Sequence, residues 1–135
     1  MWFWLSIAAV ASAADVALVG PPGPLAATEA VSLTLTTPGA SFIDGCSPVE
    51  LEKRDGERWL SIPRRACAQR LPASRVEGSL VVSVPPPGPG EYRAVVTWAT
   101  GCTEGFALAQ AACAEVEAVR SGPFIVRAEA VSPAR

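Results

Sequence analysis

The chain has 135 residues, half of them hydrophobic, with thirteen acidic against eleven basic side chains. Such a length supports one domain with a substantial core, burying roughly two thirds of its unfolded surface. A net charge of -2 with scattered basic residues excludes an electrostatic footprint for nucleic acid.

The lack of His and Asn, with ten Arg against a single Lys, reads as the codon bias of a GC-rich, hence bacterial, genome. Without Asn there is no N-glycosylation acceptor, and without His the commonest general base and metal ligand is missing. Residues 1–14, MWFWLSIAAVASAA, form a short apolar run ending in the small residues a signal peptidase accepts, although no Lys or Arg precedes it. Asp15 stops that run short of the roughly 20 apolar residues a membrane span needs. The expectation is a signal peptide over 1–14 and an exported mature domain over 15–135, periplasmic or extracellular, with no membrane span.

In the mature chain, Val16 to Val19 suits an edge strand, stopped by Gly20-Pro21-Pro22-Gly23-Pro24. Residues 31–36, VSLTLT, alternate strictly, so Val31, Leu33 and Leu35 share one face of a half-buried strand that Thr37-Pro38-Gly39 is expected to end. Cys46 to Cys67 reads as a β-hairpin, with Val49 and Leu51 alternating with Glu50 and Glu52, a turn at Asp55-Gly56, and Trp59, Leu60 and Ile62 returning. The chain is then polar until Ser79 to Val84, where Leu80, Val82 and Val84 can line a core. The proline-rich stretch 85–90 is too poor in N–H donors to join a ladder and suits a stiff crossover. Glu91 to Ala99 follows as a strand with Tyr92, Ala94, Val96 and Trp98 on one face. Residues 102–119 are Ala-rich and read as a short helix. Phe124 to Ala128 makes a final strand after Ser121-Gly122-Pro123.

Four cysteines in an exported chain point to two disulfides, and local loop closure favours Cys46 with Cys67 and Cys102 with Cys113. No cysteine pair has the short gap of a structural zinc site, so neither metal nor cofactor is expected.

About seven short strands in this length are the pattern of an immunoglobulin-like antiparallel β-sandwich, and Gly90-Glu91-Tyr92 fits a tyrosine corner. The VSLTLT strand, the VELEKRDGERWLSIP hairpin, the PGEYR corner and the SGPFIV strand together resemble a family of bacterial immunoglobulin-like domains of exported proteins. The resemblance covers most of residues 28–128 and implies a sandwich with no established chemistry.

Candidate sites are few. Glu50 and Glu52, roughly 7 Å apart on one strand face, could serve glycoside hydrolysis. Their expected place is a solvated polar face, and no residue is read as catalytic. Trp59 could stack against a ligand, but packing over the hairpin onto the core is the expected role. The loop closed by Cys102 and Cys113 offers Phe106 and Leu108 at the end of the architecture where binding residues sit, unless both fold under. The sequence therefore points to a non-catalytic binding or structural module of the bacterial envelope, with a protein or envelope partner at the stapled loop. Two other readings are a proteinase inhibitor using that loop and a small carbohydrate-active enzyme using Glu50 and Glu52.

Overall fold

A computed structural model describes residues 16–63 and 71–128. The predicted signal peptide and Cys67 lie outside that range. Nine strands and one 3₁₀ turn account for the regular structure of the described residues, the strands being β1 (Ala17–Val19), β2 (Leu25–Ala26), β3 (Val31–Ile43), β4 (Val49–Asp55), β5 (Arg58–Ser61), β6 (Ser74–Val84), β7 (Gly90–Thr100), β8 (Glu115–Arg120) and β9 (Phe124–Arg127). They form one curled, mixed sheet. The all-β class agrees with the sequence, whereas the strand count corrects the expected seven by adding β2 and β8. The expected all-antiparallel pairing is also corrected, because β2 runs parallel to β9, with Leu25 beside Val126.

Strand β7 is the hub. Along one edge it pairs with β4 and then with the end of β3; along the other it pairs with β9 and then β8. Strand β3 is the second organiser, lying against β6 for most of its length and against β1 through Thr34 to Thr36. It does not stop at Thr37-Pro38-Gly39 as the sequence suggested. The register with β6 shifts between Thr37 and Ser41, an irregularity that absorbs Pro38 where no ladder N–H is required. Gly78, opposite Thr37, has φ 91°, a value that favours glycine.

The alternation read from the sequence places the core. Val31, Leu33 and Leu35 of β3 meet Tyr92, Ala94, Val96 and Trp98 of β7, with Val49 and Leu51 of β4 and Phe124 and Val126 of β9. Strand β6 begins earlier than expected, at Ser74, because Val76 is also buried here.

The proline-rich crossover is held by the corner the sequence implied. The Tyr92 hydroxyl donates within hydrogen-bonding distance of the carbonyls of Pro87 (3.1 Å) and Pro89 (3.4 Å), and its ring stacks on Phe124 at 6.1 Å. Glycine is favoured at position 90 because its φ is 151° and a Cβ there would also press on the Tyr92 ring at 3.3 Å. Between β8 and β9, Ser121 continues the ladder. Its N–H donates to the Ala94 carbonyl (2.9 Å), and its hydroxyl accepts from the Ala94 N–H while donating to the Gly122 carbonyl. A strand break on a buried edge is thereby left without an orphaned donor.

Candidate functional site

The sequence predicts a short helix within residues 102–119, but Glu115–Arg120 is strand β8, and the residues joining it to β7 are not α-helical either. They are instead a continuation of the β7–β8 ladder with a single 3₁₀ turn, Leu108–Gln110, at its far end. The Ala114 N–H donates to the Thr100 carbonyl, the Thr103 N–H to the Ala112 carbonyl, and the Ala111 N–H to the Ala107 carbonyl, each at 2.9 Å. Cys102 and Cys113 are disulfide-bonded, as their spacing suggested, with Cα atoms 3.9 Å apart. Gly101 is obligatory at the base of the loop, because its φ is 65° and a Cβ would lie 2.9 Å from that of Ala114. Good helix formers lose here to the open edge of β7, whose residues Val95 to Thr100 pair with the segment that follows.

The loop is also tied sideways, since the Phe106 carbonyl accepts from the Ala73 N–H at 2.8 Å. Phe106 and Leu108 share the loop but not a surface. Phe106 is 50% exposed and borders a hollow of about 210 Å³ with Phe42 and Arg75. Leu108 folds under, half-buried, into a second hollow of about 260 Å³ shared with Glu50, Val95 and Thr97. Val95 points away from the main core yet is only 6% exposed.

Trp59 is at the opposite end of β7, roughly 20 Å away by strand rise from the Arg93 level to Thr100. It is half-buried and outside the core cluster, which corrects the expected packing. Two guanidinium groups lie over its ring, Arg93 at 4.5 Å and Arg54 at 5.5 Å. Arg93 also donates to Glu52, Arg120 approaches the same carboxylate at 3.6 Å, and Arg54 pairs with Glu91 at 3.8 Å. Glu52 is therefore not on a solvated face, for its side chain is 16% exposed and ion-paired. Glu50 faces the Leu108 hollow, beside Val95 in the register. The two carboxylates stand in different surroundings on the same strand.

The sequence missed the Arg54–Arg93–Arg120 side of this network; its one signal was the outward position of Arg93 in the β7 alternation. Cys46 is disulfide-bonded, and its expected partner Cys67 lies outside the described residues. Among the described residues no His, Cys, Asp and Glu group could hold a metal ion, and no helix is long and apolar enough to cross a membrane. No protein-family model matches this chain and no curated protein matches it, so any functional reading rests on the geometry.

Proposed function

We propose that this chain is a non-catalytic, exported binding or structural module of immunoglobulin-like type that contacts a protein or envelope partner of a bacterial cell through the loop between β7 and β8. The observation that carries the reading is Phe106, a large apolar side chain half-exposed on a loop fixed at its base by the Cys102–Cys113 bridge and at its side by Ala73. A loop already ordered before contact loses little further entropy on binding, and an aromatic ring in that position supplies the anchor from which interfaces draw most of their energy. Disulfide-bonded cysteines support an oxidising compartment. The Tyr92 hydroxyl bonded back to the crossover supports the immunoglobulin-like assignment. Leu108 acts as the loop's inner anchor in this reading, and Trp59, already engaged by two arginines, serves the surface of the sheet.

The test is crosslinking capture from the native cell envelope with the oxidised protein and its Phe106→Ser variant. A partner retained by the parent protein and lost by the variant is the expected result. Equal capture by both would move the interface away from the loop.

A further inference from the structure

We infer that the outer edge of β6 accepts an extended strand from a partner protein, uncharged and with aliphatic side chains at alternate positions. Among the described residues β6 pairs with β3 alone, so the main-chain donors and acceptors along its other edge have no strand partner. An open edge of that kind is a template for another strand, and proteins ordinarily guard it with charge, proline or brevity. The other edges of this sheet are guarded. Strand β1 has three residues, β5 carries Arg58 and follows Glu57, and β8 carries Glu115, Glu117 and Arg120. Strand β6 is different, because Gly78 to Val84 contains no charge and Val81 is 64% exposed on its outward face.

What lies beside this edge defines the occupant. A groove of about 490 Å³ separates Val82 and Val84 of β6 from Val49, Leu51 and Ile62 on the hairpin side, with Pro87 at one end, and among the described residues its lining carries no charge. Its size falls within the range of about 300–1,000 Å³ typical of apolar ligand clefts. Val82 and Val84 pack against the core but remain half-buried, so their flanks are available to the groove. A strand hydrogen-bonded to β6 points every second side chain into this groove and the others to solvent. The described walls, Val49, Leu51, Ile62, Val82 and Val84, are aliphatic and favour uncharged side chains at the inward positions, because an unpaired charge buried against them would be strongly penalised.

The experiment titrates the oxidised protein with the peptide Thr-Val-Thr-Val-Thr-Val-Thr, capped at both ends, reading affinity by calorimetry and amide protection by hydrogen exchange. Binding with new protection confined to β6 is the expected result. The same peptide N-methylated throughout keeps its side chains but has no backbone donors, and should bind at least about ten-fold more weakly; a version with Asp replacing each Val should not bind. Val82→Lys and Ile62→Lys, placed on opposite walls of the groove and each verified folded by its melting transition, should abolish binding. Phe106→Ser should bind the peptide as the parent does, which separates this site from the loop. Absence of binding, equal binding of the N-methylated or Asp peptide, or self-association of the protein through β6 in place of peptide binding would each overturn the proposal.

Discussion

The two ends of β7 are held by different means. At the Gly90 end the locks are side chains: the Tyr92 hydroxyl on the crossover carbonyls, its ring on Phe124, and Trp59 beneath Arg54 and Arg93. At the Thr100 end they are main chain and covalent, a short ladder and the Cys102–Cys113 bridge. The difference bears on where a surface is available for recognition. Side-chain locks occupy the groups that would otherwise meet a ligand, whereas a bridged ladder fixes a loop and leaves side chains such as Phe106 exposed. The Gly90 end is thus held through side chains, whereas the bridged end holds its loop through main chain and disulfide and leaves Phe106 exposed.

The sharpest way to break this comparison is to remove the bridge. Replacing Cys102 and Cys113 together with Ser should lower stability by about 3 kcal/mol in urea denaturation, the chain-entropy value for a loop of this size. Exchange protection should be lost between Gly101 and Ala114 and kept around Tyr92. Loss at both ends would show that they are not independent.

A somewhat smaller effect is expected midway along β7. Ser121→Ala leaves the buried Ala94 N–H without its acceptor, which should destabilise the protein by about 2 kcal/mol. Ser121→Thr, which keeps the hydroxyl, should recover part of that loss.

At the Gly90 end, Tyr92→Phe should cost about 1 kcal/mol through the lost hydroxyl contacts. Burial also pushes the Tyr92 phenol above its ordinary range. The unfolded tyrosine ionises near pH 10, so the stability due to the buried neutral phenol is complete below that pH and declines as the pH rises through the folded value. Tyr92 is the chain's one tyrosine, and tyrosinate absorbance therefore reports on this site alone. The phenylalanine variant should show a shallower alkaline loss of stability; an identical alkaline profile would mean that Tyr92 is not the titrating group.

The smallest effect is assigned to Trp59. As a partly exposed ring under two guanidinium groups, its replacement by Ala should cost about 1 kcal/mol or less. A core tryptophan would cost about 3–5 kcal/mol, and a loss of that size would return Trp59 to the interior.

Much of the inner face of β7 could be read in advance, because Tyr92, Ala94, Val96 and Trp98 occupy every second position and the adjacent Pro89-Gly90 marks the corner. The hairpin and the Cys102–Cys113 pairing were legible for the same reason: each is set by residues close in sequence. The outer face was not. Arg93, Glu52, Arg120 and Trp59 come from four strands, and their meeting depends on register between segments far apart in the chain. Strand β8 was hidden by alanine-rich helix propensity that the edge of β7 overrides, and β2 by its length of two residues, too short for any periodicity. The continuation of β3 through Pro38 was concealed because a proline normally ends a ladder, and only the register shift against β6 makes it tolerable.

The central claim, that the loop between β7 and β8 is ordered before any partner arrives, is tested most directly by hydrogen exchange of the Thr103, Ala111 and Ala114 amides in the oxidised protein. All three donate to loop or strand carbonyls, and the account predicts exchange well slower than that of an unstructured peptide, accelerating when the Cys102–Cys113 bridge is removed. Exchange of these amides at the unstructured rate with the bridge intact would contradict it.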